Sequence, residues 1–482
     1  MARSAVYDHT LVTIFNAIKV CEQISQTPAT PATVATPAPT VTQVDWIQFH
    51  GGNGGFHLDT NTKPKSYVGP IAVHEFEGRG LGLVATRKIT AGDVLLIEDA
   101  FAMSSTCGAL ISQATAELAR TCCNKFAVAT PLEMSAFWCL HSQSDCQNPN
   151  WKEIGRRKTI FEEYLAHLHA GEIHNNSMQS RYVPKPCLEK QDKAVASIVS
   201  SNSRKTEHWN AWTLLLDESE SLGGLWLAAS LFNHSCLGNV VINYGSSKEC
   251  GSTLVARAAT TIETGEELLH TYVYPFDTVH ERQKKLQHIY GFHCCCARCA
   301  LEAPHALVAS QLADRLESEL QKFSAARGKG INGRNDMAKI VKMIRSVLAS
   351  VDKAAEDLSA GLRRLWRSQF LWGDHGLAMA AQEAGLFQEA VDAFRNCVSL
   401  VAMVAPSSEY ELKYRMMLTQ SLSRWALSAP ASNLPSADDL KEALKHAEEA
   451  HNRLYGGGGR HFVCRMKKRL EDVYAALRRL QS

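Results

Sequence analysis

The sequence predicts an α+β fold: a β-rich domain split by a partly helical insert, followed by an all-α domain. Three observations carry this prediction. β-branched and apolar runs punctuated by Gly and Ser fall in two blocks, residues 66–106 and 206–276. The text between them, residues 107–205, loses that alternation. After Asp277 apolar residues recur at helical spacing almost to the end of the 482-residue chain.

Taken in order, residues 1–65 include "TPATPATVATPAPTVTQ", Thr27 to Gln43, a Pro/Thr/Ala repeat without aromatics that cannot bury enough surface to order itself, so a disordered arm is expected. Asp8 and Glu22 argue against reading this arm as a mitochondrial presequence. In 66–106 the runs "LGLVATRKI" and "DVLLIEDAF", joined by "TAGD", predict a hairpin-like strand pair. The insert mixes helical text ("IFEEYLAHLHA") with loops ("QNPN", "VPKP"). Strand texture returns in "VVINYG", "STLVARAA" and "EELLHTYVY". In 277–300, Thr278 and Glu281 form a candidate capping box, and Val279, Leu286, Ile289 and Tyr290 share a helix face that Gly291 ends. That helix delivers "GFHCCCARC".

Residues 301–482 are read as all-α, with Leu312, Leu316 and Leu320 on one stripe and Ile340, Met343, Ile344 and Val347 on another. Gly385, Phe387, Ala390 and Phe394 stand at the offsets of a tetratricopeptide-type helix pair, and "ALKHAEEAHNRLYG" is a weaker second unit. An ordinary antiparallel bundle accounts for the same pattern equally well.

Composition narrows the function classes. The chain opens without a charged and then apolar leader and contains no run of eighteen apolar residues, which argues against secretion and membrane spanning. A formal charge of +2 leaves no basic excess for a dedicated nucleic-acid binder. Fifteen cysteines, an odd number, suit reduced thiols and metal sites better than a disulfide framework, so a cytoplasmic or nuclear location is expected.

Cys294, Cys296 and Cys299 give C-x-C-x-x-C, three thiolates at metal-ligand spacing, whereas a closed tetrahedral zinc site takes four. Cys295 points away from its neighbours in an extended segment, and Cys236 of "LFNHSCLGN" is the candidate fourth ligand. Three further stretches stand out. "GRGLGL", Gly78 to Leu83, leads into a strand rather than a helix, so it reads as a turn hugging a ligand or another strand and not as a dinucleotide loop. Asn233-His234-Ser235 taken alone is a turn with a satisfied histidine, and Tyr272 of "GEELLHTY" taken alone is a core or rim tyrosine.

Together, "GRGLGLVATRKITAGDVLLIED", "LFNHSC", "GEELLHTY" and "RQKKLQHIYGFHCCCARC" occur in the order found in the SET-domain lysine methyltransferases. The chain resembles the SMYD-type branch of that family, over residues 70–105 and about 225–300, and its helical tail is similar to that branch's tetratricopeptide-like domain. The resemblance implies that residues 66–106 and 206–276 form a split SET domain, with 277–300 as a post-SET segment. It also implies S-adenosylmethionine as methyl donor, held by Arg79, Gly80, Leu81, Gly82, Asn233, His234, Tyr272 and Phe292. Tyr272 resembles the catalytic tyrosine, Tyr290 a residue of the lysine channel, and Cys236, Cys294, Cys296 and Cys299 the zinc ligands. The expected partner is a protein or peptide with a target lysine, and a monomer is expected.

This chemistry is consistent with the residues. A lysine must be neutral to accept a methyl group, which at pH 7.4 costs about three pKa units, or roughly 4 kcal/mol. An apolar aromatic channel beside a positive sulfonium supplies part of that shift, and a tyrosine hydroxyl can orient the amine. Zinc would tie the C-terminal cap to the loop carrying Asn233 and His234.

The chain also departs from the family. Leu81 stands where these proteins commonly have Asn, and Gly238 where they have Pro, which predicts a looser turn. Residues 107–146 offer Cys107, Cys122, Cys123, Cys139, His141 and Cys146, without a C-x-x-C pair, in place of a MYND finger. Buried or free thiols are the favoured reading there, against a degenerate one-zinc finger. Two functional alternatives accompany the methyltransferase. One is a SET-like interaction module with weak or absent turnover. The other, a zinc hydrolase, is disfavoured because four thiolates leave no open position for water.

Overall fold

The computed structural model describes residues 66–104, 111–141, 151–170, 188–205, 222–247, 251–328, 334–456 and 458–481. The predicted arm at 1–65 and the thiols of Cys107 and Cys146 lie outside these residues. The fold is α+β: short sheets carry the first half, and helices follow from Val279 to Gln481.

The largest sheet is antiparallel and four-stranded, in the order Tyr67–Val68, Val94–Asp99, Gly251–Ala258, Val240–Ser247. The strand Val94–Asp99 is central and buried along most of its length, which is why it reads as a continuous apolar run. Leu95, Leu96 and Leu254 pack with Phe161 of the insert and with Trp226 and Phe232 in one core. Glu98 is buried in that strand, where its carboxylate accepts from the Ala228 and Ala229 amides at 2.9 Å and from the Tyr164 hydroxyl at 3.1 Å. Burial pushes its pKa up to about 7. The carboxylate thereby fixes the turn that leads into Phe232 and Asn233.

The predicted hairpin is corrected. Gly80–Ala85 pairs with Ile71–Phe76, while Val94–Asp99 belongs to the four-stranded sheet. The connection between them carries the chain across to the other sheet: Ile89 bridges Ile262, and the Gly92 amide donates to the Ala258 carbonyl at 2.8 Å. Gly92, at φ +93°, serves this crossing rather than a hairpin turn. The "EELLHTYVY" strand is also shorter than predicted. Glu267 makes an isolated antiparallel bridge to Val84, Leu269–His270 pairs parallel to Asn233–His234, and Tyr272 lies two residues beyond.

In the helical half, Leu371–Ala384 and Phe387–Val404 pack as a pair around Gly385, whose φ of +79° makes the left-handed turn between them. Ala390 and Phe394 of the second helix are buried. This half docks on the sheet through polar contacts. Asn243 donates to the Leu454 carbonyl at 3.1 Å, Arg257 to the Tyr455 carbonyl at 3.3 Å, and Ser407 to the Ala259 carbonyl at 2.9 Å.

Among the described residues no helix is long and apolar enough to cross a membrane.

Candidate functional site

The site begins with the helix Val279–Tyr290. The Thr278 hydroxyl caps its start by accepting from the Glu281 amide at 3.3 Å, and Gly291, left-handed at φ +77°, ends it. Val279 and Leu286 are buried as their spacing predicts, but Ile289 is exposed. The chain then turns back through Cys294 and Cys296 into the short helix Ala297–Glu302, which carries Cys299.

The sulfurs of Cys236, Cys294, Cys296 and Cys299 all lie within 4.8 Å of one another, while Cys295 is exposed and outside the group. A tetrahedral zinc with Zn–S bonds of about 2.3 Å separates its ligands by about 3.8 Å, so this cluster needs little rearrangement to take the ion. Gln283 fixes the Cys294 backbone, donating to its carbonyl at 2.6 Å and accepting from its amide at 2.9 Å.

A buried charged network surrounds the thiols. Arg282 Nε donates to Cys236 Sγ at 3.3 Å and the same guanidinium pairs with Glu302. Arg298 Nε donates to Glu302 at 2.8 Å, and its other nitrogens reach the Cys236 carbonyl at 3.2 Å, the Pro275 carbonyl at 2.7 Å and Ser368 Oγ at 3.0 Å. Hydrogen bonds from the neighbouring thiols, Cys294 foremost, together with one from His234, hold the Cys236 thiol well below its usual range. The Arg282 guanidinium, within reach of the Cys236 and Cys299 sulfurs, favours the thiolate form that a metal requires.

His234 joins this cluster to Tyr272. Its Nδ1 accepts from the Tyr272 amide at 3.0 Å, which leaves Nε2–H to donate to Cys236 Sγ at 3.3 Å. One imidazole thus spans a candidate metal ligand and the backbone of the candidate catalytic residue. The Tyr272 ring lies 4.9 Å from Tyr290 and 5.1 Å from His234, and Phe292 lies 5.9 Å from His234. The Tyr272 hydroxyl donates to the Phe232 carbonyl at 2.5 Å. Desolvation pushes the Tyr272 pKa up to about 12, so its hydroxyl is a hydrogen-bonding group at neutral pH rather than a base.

Across from this aromatic group stands the glycine hairpin. Gly78 and Gly80, at φ +73° and +75°, shape its turn. At Gly82 an added Cβ would lie 2.6 Å from Asn233 Nδ2 and 2.8 Å from the Phe76 ring. Asn233 Nδ2 donates to the Leu81 carbonyl at 3.2 Å and to Glu267 at 3.0 Å, and Arg79 pairs with the same Glu267. Arg79 and Asn233, both expected to hold the methyl donor, therefore meet through a carboxylate. Gly82→Ala is expected to cost about 1–3 kcal/mol by overpacking and to displace Asn233. A thermal melt checks this, and an unchanged midpoint would remove the tight fit from the account.

Gly238 is closely packed: a Cβ there would stand 2.8 Å from the Leu269 carbonyl. Leu81 packs against the main core.

All the predicted site residues thus fall in one region, and Tyr272, Tyr290, Phe292, His234 and the four cysteines form one connected group. Sequence reading missed Glu267, Arg204 and His270. Glu267 was visible as one of two acids in "GEELL", and nothing local distinguished it from Glu266. In the insert, Cys122 and Cys139 are buried, and burial pushes the Cys122 pKa up to about 12. Among the described residues, Cys236, Cys294, Cys296 and Cys299 make the only cluster of three or more such side chains in metal reach.

Residues 80–273 match the SET domain family. A protein from Gibberella zeae named "Methyltransferase" is 22% identical over 326 residues, covering 64% of this chain and 41% of that one. The chicken N-lysine methyltransferase SMYD2 is 24% identical over 268 residues, 55% of this chain and 58% of that one. The mouse histone-lysine N-methyltransferase SMYD3 is 40% identical over 91 residues, 19% of this chain and 20% of that one. The chain thus spans less than two thirds of the length of each of these relatives.

Proposed function

The chain carries a SET domain, and from that premise we propose that it is a protein-lysine N-methyltransferase using S-adenosylmethionine. The observation that carries the reading is the connected group described above: Tyr272 and Tyr290 with rings 4.9 Å apart, joined by His234 to a four-cysteine clasp.

The residues fit the two groups the reading requires. Four thiols with the Arg282 guanidinium against them and no oxygen ligand suit Zn2+ in a closed structural site, with Cys236, Cys294, Cys296 and Cys299 as its ligands. The methyl donor would be held by the backbone of Arg79 to Gly82, by Asn233 and His234, and by the half-buried Phe292 ring. When bound, S-adenosylmethionine supplies a sulfonium methyl for in-line transfer. The protein's own work is positioning. Tyr290 and Tyr272 enclose an acceptor amine and exclude water from it, and the Tyr272 hydroxyl with the Phe232 carbonyl orients its lone pair.

Isothermal titration of S-adenosylmethionine into metal-replete protein is expected to show saturable binding. An array of lysine peptides with labelled donor is expected to show transfer to a subset. Failure of the metal-replete protein to bind the donor would sink the reading.

A further inference from the structure

Arg204, outside the sequence motifs of the site, lies against the tyrosine group. Its guanidinium lies over the Tyr272 ring, 5.6 Å from the centroid, and Nη2 donates to the Ala229 carbonyl at 3.1 Å. The carbonyl bond anchors the charge to the turn that Glu98 holds from its other side. Among the described residues this charge is met by a carbonyl and an aromatic face, not by a carboxylate. Its field reaches three side chains. Against desolvation, the larger influence, it lowers the Tyr272 and Tyr290 phenols, and with desolvation it brings His270 down to about 3.

We propose that Arg204 is a specificity-determining residue of the acceptor channel, whose fixed charge disfavours an ammonium beside Tyr272 and Tyr290 and so selects the neutral amine. This inference rests on the lysine-transfer reading. A guanidinium does not give up its proton in a protein, so of two facing cations the lysine must yield. The ammonium passes one proton to solvent, and the freed lone pair forms the new N–C bond as the donor's S–C bond breaks. Among the described residues, the other groups facing this space do not cancel the effect. Tyr272 and Tyr290 are neutral phenols and His270 a neutral imidazole, while the Glu267 carboxylate near Tyr272 is already paired with Arg79. Arg204 thus contributes part of the three-unit deprotonation cost that aromatic walls alone leave uncovered.

The test uses the full chain, metal-replete, with the best acceptor from the lysine-peptide array, and follows kcat and kcat/KM against pH. Arg204→Gln is expected to move the acid limb of kcat up by roughly one pH unit, since a like charge has been removed from the bound amine. The acid limb of kcat/KM reports the free peptide amine and is expected to stay in place. Arg204→Lys keeps the charge and is expected to keep the wild-type kcat limb. Melting midpoints establish that the variants fold, and Arg204→Met serves as a second neutral replacement should the Gln variant unfold. Transfer by all proteins with coincident kcat limbs overturns this inference alone. Absence of transfer from wild type and every variant overturns the lysine reading and this inference with it.

Discussion

Cys236→Ser is expected to release the metal and to abolish methyl-donor binding together with it. A structural zinc site contributes an apparent value of roughly 10–16 kcal/mol, as large as the whole stability of an ordinary domain. Removing a ligand therefore exceeds what the remaining packing can absorb. The geometry sharpens the expectation. Cys236 is fully buried, and its sulfur also accepts from Arg282 and His234, so both donors then face a neutral hydroxyl on a shorter bond in place of the sulfur. His234 is then released from the orientation in which it holds the Tyr272 amide. Elemental analysis, thermal melting and donor titration measure the three consequences. Cys295→Ser is the control: Cys295 is exposed and outside the cluster, and its loss is expected to leave the metal content unchanged. Equal metal content in the two variants would overturn the ligand assignment.

Tyr272→Phe is expected to lower kcat on the order of a hundredfold, the scale of removing one preorganised hydrogen-bond donor, while donor affinity stays near wild type. The two effects separate because the residue makes two distinct contacts. Its hydroxyl donates to the Phe232 carbonyl, and this bond is lost in the variant. Its amide donates to His234, and this bond is retained, so the link to the cysteine clasp survives. Turnover and titration on the same preparation test both parts. Unchanged kcat would remove Tyr272 from the catalytic role.

The features legible in the sequence were those fixed by local chemistry. Thiol spacing at Cys294, Cys296 and Cys299 admits few uses, and the stop at Gly291 follows from its tolerance of positive φ. The alternation of strands with an insert and a helical tail followed from hydrophobic period alone. Pairing was not legible. By sequence Gly80–Ala85 reads as the partner of the following strand because "TAGD" has turn chemistry, whereas the approach of Ile89 to Ile262 and of Gly92 to Ala258 reveals a crossing between sheets. The roles of Arg204 and Glu267 are hidden from the sequence for the same reason. Each acts through groups distant in the chain, Tyr272 for one and Arg79 with Asn233 for the other. A single arginine or glutamate carries no local mark of such an encounter.

The short helix Ala297–Glu302 has a consequence for how the molecule is divided. A boundary after Cys299 looks natural on paper, since the last ligand ends the cysteine run there. In terms of buried charge it cuts through one network. Glu302 pairs with Arg282, which faces the thiols, and also with Arg298, which reaches Ser368 far into the helical half. That network has members on both sides of residue 300. The two halves are chemically one body at this point, and a cut there would leave two buried guanidiniums without their carboxylate.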